Sequence, residues 1–144
     1  MAVAHILRQK GSGVVTVRPS DSVQTIVDTL ARHRIGAVVV VDTAGAIAGI
    51  VSERDVVRAL AGDAAGIRGK TAADIMTSKV MTCEPNDSEA ELMQLMTENR
   101  IRHLPVVSGG RLAGMISIGD VVKLRIESIE REAEEMKTYI ASAG

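Results

Sequence analysis

Tryptophan and phenylalanine are absent from the 144-residue chain, and tyrosine occurs once, at Tyr139. A pocket that accepts a planar base must then do so against aliphatic side chains and backbone, since aromatic stacking platforms are missing. The single cysteine, Cys83, excludes an internal disulfide and fits a reducing compartment, which we read as the cytoplasm. One cysteine and three scattered histidines (His5, His33 and His103) supply no zinc spacing, so no metal is expected. No basic run reaches five residues, and the formal net charge of -1 argues against a nucleic-acid binder, which needs a cationic excess. Apolar runs such as Gly36–Val41 fall far short of the about 20 residues that span a bilayer. The start, Met1 to His5, lacks a charged segment followed by an apolar one, so no secretory signal is expected.

What remains is an ordinary globular composition, 46% hydrophobic and 24% charged, and an internal repeat. Val-Val-Thr-Val-Arg-Pro-Ser-Asp-Ser from Val14 is matched by Val-Met-Thr-Cys-Glu-Pro-Asn-Asp-Ser from Val80. Thr16 and Thr82, Pro19 and Pro85, and Asp21 and Asp87 all keep an offset of 66. Arg34-Ile35-Gly36-Ala37 then aligns with Arg100-Ile101-Arg102-His103. Further on, Gly49-Ile50-Val51-Ser52-Glu53-Arg54-Asp55 aligns with Gly114-Met115-Ile116-Ser117-Ile118-Gly119-Asp120 at 65, one residue having been lost in a hairpin turn.

Each copy carries one order of elements. Ser22 and Ser88 are placed to cap helices whose apolar residues recur at helical spacing, Val23, Ile26, Val27 and Leu30, then Leu92, Leu95 and Met96. Two β-branched stretches follow in the first copy, Ala37 to Val41 and Ala46 to Val51, joined by Asp42-Thr43-Ala44-Gly45; Ser108-Gly109-Gly110 is the shorter turn of the second. A helix begins after Ser52 and after Ser117. The expected architecture is α/β (α+β): two tandem β-α-β-β-α repeats, each preceded by a short helix (Val3 to Arg8, Ala72 to Met76), packed sheet to sheet about a pseudo-twofold axis. A copy of about 65 residues is too small to cover its own sheet, and pairing solves that. Residues 1–62 form the first repeat, 63–70 lie in an exposed linker running from Gly62 to Lys70, 71–125 form the second repeat, and 126–144 form a helical extension.

The Pro-x-Asp-Ser entry and the later Gly-h-h-Ser-x-x-Asp-h-h signature, h being apolar, resemble the CBS domain. The tandem pair resembles a Bateman module, and in detail the bacterial stand-alone two-CBS proteins. That resemblance implies an adenosyl ligand (AMP, ADP, ATP, NAD(H) or S-adenosylmethionine) in clefts between the repeats, and no catalytic cofactor. By the family pattern Asp55 and Asp120 accept from ribose hydroxyls, as acceptor-only carboxylates can. Ser52 and Ser117 open helices whose hydroxyl and free amides meet phosphate. One site then combines Ser52, Arg54 and Asp55 with Val80, Met81, Arg102 and His103. The other combines Ser117 and Asp120 with Val14, Val15, Ile35, Gly36 and Ala37. Arg54, Arg102 and His103 make the first site the better one for a phosphate tail; the second suits a less charged ligand or recruits Arg8 or Lys10.

Plainer roles stand beside these. Serine commonly caps helices, and an acid in the first turn suits the helix dipole. Cys83 aligns with Val17 and reads as a small core residue. The expected function is a regulatory, non-enzymatic sensor that signals to a separate effector protein, without nucleic acid or membrane. The alternative is a dimerisation module with degenerate sites. A hydrolase is disfavoured because no phosphate-binding glycine loop or nucleophile–base pair is present. In the last segment Val122, Ile126, Ile129, Ala133, Met136 and Ile140 are spaced 4, 3, 4, 3, 4. This heptad seam is expected on a second subunit or folded back on its own module, and a homodimer is expected.

Overall fold

The computed structural model describes residues 2–143. Helix α1 (Ala2–Lys10) precedes β1 (Thr16–Val17), α2 (Val23–His33), β2 (Ala37–Val41), β3 (Ile47–Ser52) and α3 (Glu53–Asp63). The second copy has α4 (Ala72–Ile75), α5 (Glu89–Asn99), β4 (His103–Ser108), β5 (Arg111–Ser117) and the long α6 (Ile118–Ala143). Antiparallel hairpins β2–β3 and β4–β5 dominate, each with a register shift at the same repeat position, Val40/Val41 and Val106/Val107. The first strand of each copy is a stub. β1 pairs parallel with β2 over two residues, and its counterpart is a single parallel bridge, Cys83 to Val106.

The repeated motifs have local physical causes. Ser22 and Ser88 cap α2 and α5, accepting from the amides of Thr25 and Glu91. Asp21 and Asp87 accept from the amides of Arg18 and Glu84, both at 2.8 Å, which turns the chain out of the stub strand. In the first hairpin Asp42 Oδ1 accepts from Ala44 and Ala46, while the second uses Gly109 and Gly110, both at positive φ. Two glycines suffice for the tighter turn, which accounts for the missing residue.

Arg34 and Arg100 end α2 and α5 in the left-handed conformation, with φ of 54° and 52°. A side chain costs on the order of 1 kcal/mol there, and glycine is the usual occupant. The exposed Arg34→Gly variant is therefore expected to gain about 0.5–1 kcal/mol, net of the added freedom of its unfolded chain. A higher urea midpoint at unchanged slope is the readout, and an unchanged or lower midpoint counts against this account.

The short helices are exchanged between the copies. Ala2, Val3 and Ile6 of α1 are buried with Leu92, Leu104, Val106, Ile116, Val121 and Leu124 of the second repeat. Ala72, at the start of α4, is buried with Val17, Ile26, Leu30, Val38, Val40, Val51 and Val56 of the first. Each short helix thus precedes one repeat in sequence and packs on the other. Two glycines at matching positions permit the crossing. A Cβ at Gly49 would stand 2.9 Å from Thr77 O, and one at Gly114 would stand 2.5 Å from Leu7 Cδ2. The inward faces of the hairpins carry Ala37, Val39 and Pro105, all buried yet outside both helix-facing clusters, as sheet-to-sheet packing requires.

One other detail differs from expectation. The 62–70 segment is not all loop: α3 continues through Gly62 to Asp63, among helix-favouring alanines, and Ile67–Gly69 forms a 3-10 turn. The helical extension expected over 126–144 continues directly from the last helix of the second repeat, α6 running from Ile118 to Ala143.

Candidate functional site

The two Ser-x-x-Asp segments open α3 and α6 in the same way. Asp55 Oδ2 accepts from the Ser52 amide at 2.8 Å, and the Asp55 amide donates to Ser52 Oγ. Asp120 Oδ2 accepts from the Ser117 amide at 2.9 Å, and the Asp120 amide donates to Ser117 Oγ. The amides of Glu53 and Ile118 donate to the carbonyls of Gly36 and Arg102. Two of the first three amides of each helix are therefore already satisfied. The expected free helix-start amides are thereby narrowed to the second of each helix, at Arg54 and Gly119.

Around the first aspartate the chain leaves a cleft of about 720 Å³ between the copies. Ser52, Arg54, Asp55, Val80, Met81, Arg102 and His103, grouped from sequence, all line it. Five cations (Arg54, Arg58, Lys79, Arg100 and Arg102) face it against two carboxylates, Glu53 and Asp55. This concentration of positive charge sits in a chain of net charge -1. Aliphatic wall comes from Ile50, Val57, Val80, Met81 and Ile101. The Asp55 oxygen not used by the cap, Oδ1, accepts from Thr77 Oγ1 at 3.2 Å and faces the same space. Arg54 Nη1 donates to Arg100 O at 2.9 Å, tying the copies together at the cleft. A neighbouring cavity of about 250 Å³ shares Arg54, Arg100, Ile101 and Arg102.

His103 lines the cleft but is half-buried. Burial lowers its pKa, only partly offset by Glu53, so it is a neutral imidazole at pH 7 and not a third cation. Gly36, grouped from sequence with the second site, lines the first cleft; a Cβ there would stand 2.9 Å from His103 Cε1.

The second aspartate is already engaged. Lys10 Nζ lies 2.8 Å from Asp120 Oδ2 and 3.0 Å from Met115 O. Of the two recruits considered, Arg8 and Lys10, it is Lys10 that arrives. Val14, Val15 and Ile35 are half-buried, Val15 and Ile35 packing on the first core, and Ala37 is buried. Burial opposes ionisation of Asp120, but the Lys10 ammonium and Ser117 outweigh it and leave the carboxyl below its ordinary pKa. A depressed carboxyl stabilises the fold above its unfolded pKa, and that contribution is lost as pH falls through the folded value. Lys10→Met is therefore expected to raise the Asp120 pKa and move the onset of acid unfolding to higher pH. Carboxylate NMR titration checks the first, and an unmoved Asp120 contradicts the assigned ion pair.

The CBS domain model matches residues 4–62 and 72–127, one match per repeat. The chain belongs to the CBS-domain family. Among its relatives, the mitochondrial CBS domain-containing protein CBSX3 of Arabidopsis thaliana is 34% identical over 146 residues, covering 96% of this chain and 71% of that protein. The CBS-domain containing protein ATU1752 of Agrobacterium tumefaciens superposes with a TM-score of 0.83 at 48% identity, over 85% of this chain and 92% of that one. CBS domain protein PAE2072 of Pyrobaculum aerophilum, solved complexed with AMP, superposes with a TM-score of 0.74 at 26% identity, over 83% and 89%.

Within this CBS pair the cleft also holds residues that repeat logic missed. Thr77 and Lys79 come from the segment entering the second copy, and their counterparts at offset 66, Gly11 and Gly13, lack side chains. Arg58 is one helical turn after Arg54 and was recoverable from that spacing. No described helix is long and apolar enough to cross a membrane.

Proposed function

We propose that this CBS pair is a regulatory, non-enzymatic module acting in the cytoplasm, and that its first cleft binds a phosphorylated adenosyl ligand such as AMP, ATP or NAD(H). The observation that carries the reading is the set of five cations and the Asp55 carboxylate around one aliphatic-walled cleft. Asp55 receives the ribose diol, the base lies against Val80, Met81 and Ile101, and the phosphate meets Arg54 and Arg102. Ser52 orients Asp55 through the capping box. At the second site a ligand has to displace Lys10 from Asp120 or use its ammonium for a phosphate. Occupancy of the first cleft competes with the Arg54–Arg100 tie and so shifts the packing of the repeats, provided ligand favours one arrangement. A separate effector protein reads that shift, and the module acts as a homodimer.

Calorimetric titration of nucleotide-stripped protein tests this, since the chain has no tryptophan for fluorescence. AMP is expected to bind with a micromolar dissociation constant, about -8.2 kcal/mol, and adenosine at least about tenfold more weakly. Equal affinity for the two, or no heat with AMP, ATP and NAD alike, contradicts the reading.

A further inference from the structure

The apolar seam of α6 lies outside the buried face by which that helix packs on its own chain. Val121 and Leu124 of that helix are buried against the second repeat. Val122, Ile126, Ile129, Met136 and Ile140 lie on a different stripe and are about half exposed or more. From Ile129 to Ala143 every residue is exposed. A helical segment of that length is marginal in water without a partner. Folding back on the module, one of the two outcomes open from sequence, does not occur.

We propose that α6 pairs in parallel and in register with α6 of a second copy. This rests on the reading that the protein is a homodimer, and it adds the surface and the orientation. The spacing puts Ile126, Ala133 and Ile140 at a positions, and Val122, Ile129 and Met136 at d positions. The flanking g residues are Arg125 and Glu132, and the e residues that meet them are Glu130 and Lys137. In a parallel pair each g residue faces the e residue five positions on in the other copy. Arg125 then opposes Glu130 and Glu132 opposes Lys137, so these contacts are all attractive. Arg125 Nε is 3.5 Å from Glu89 Oε1, which leaves its terminal guanidinium nitrogens for the other copy.

The antiparallel register that keeps all six apolar layers sets Lys123 against Lys137, and Glu130 and Glu132 each against itself. Shifting that register to relieve the repulsion drops two of the six layers. Only the parallel, in-register pair keeps both the full seam and opposite charges along it. Isoleucine at two a positions also suits a parallel two-stranded pair.

Disulfide trapping tests this on the full chain. Met136→Cys places a thiol at an exposed d position, while native Cys83 is buried and its thiol is pushed up to about 12, so it stays silent. Parallel pairing brings the two introduced thiols together. The six-layer antiparallel pair sets Met136 opposite Ile126, separating them by about 15 Å along the axis. The expected result is a dimer by light scattering and a covalent Met136→Cys dimer under mild oxidation. A dimer that fails to cross-link, yet cross-links when Ile126→Cys and Met136→Cys chains are mixed, overturns the parallel orientation alone. A monomer at tens of micromolar overturns the homodimer reading itself. Ile129→Glu, at a residue outside the buried face of α6, is expected to weaken the dimer at least about tenfold; unchanged association overturns the assigned seam.

Discussion

Asp55→Asn weakens AMP binding about 100-fold and leaves the protein folded. The asparagine carbonyl can still accept from the Ser52 amide, so the start of α3 keeps its cap. The oxygen facing the cleft, now bonded to Thr77, becomes an amide nitrogen. It presents donors where two ribose hydroxyls need an acceptor. Hydrogen bonds to a charged group contribute about 1.5–3 kcal/mol each, so losing two would cost more than the 2.7 kcal/mol that corresponds to 100-fold. Some of that loss is recovered because a hydroxyl can rotate to accept. Calorimetry on a variant with unchanged circular dichroism is the check. A loss below about fivefold would remove Asp55 from the ribose role and leave it only its capping role.

The second large effect concerns charge. In Arg54→Ala/Arg102→Ala the affinity for AMP is expected to fall about 100-fold while that for adenosine stays within about threefold. Both guanidiniums line the cleft and also the smaller cavity beside it, where a phosphate tail can extend. Charge-assisted bonds from arginine to phosphate are roughly twice as strong as neutral ones, and they act only on the phosphorylated ligand. Arg54 also donates to Arg100 O, but that bond is exposed and its loss costs little stability. The separation between AMP and adenosine is the diagnostic feature. Parallel loss of both would mean the arginines shape the cleft without meeting phosphate. The AMP affinity of the wild type should also fall with added salt, while that for adenosine should not.

Much of this molecule was legible because it is written twice. Offsets of 66 and 65 aligned the helix caps, the hairpins and the Ser-x-x-Asp segments before any coordinates, and the structure repeats even the backbone irregularities at Arg34 and Arg100. Repetition carries no information about where the copies differ, and the unforeseen features lie there. The exchange of α1 and α4 is a tertiary choice, since an amphipathic helix shows its apolar face and not which sheet will receive it. Thr77 reaches Asp55 and Lys10 reaches Asp120 because that exchange carries each incoming segment across the other copy. The first cleft is thereby left open, while the second aspartate is held by a cation of its own chain. The burial of His103 was likewise not legible. That burial lowers its pKa, and spacing along a strand does not reveal it.

In the proposed function, the space between Ser52–Asp55, Thr77–Met81 and Arg100–His103 is the nucleotide site. Titrating nitrogen-15-labelled protein with AMP while following backbone amides tests it most directly. The expected result is saturable shifts that share one dissociation constant at Ile50, Thr77, Lys79, Met81 and Ile101, with His103 responding in its side chain. Shifts confined to other surfaces, or none at millimolar AMP, would contradict the assignment of this cleft.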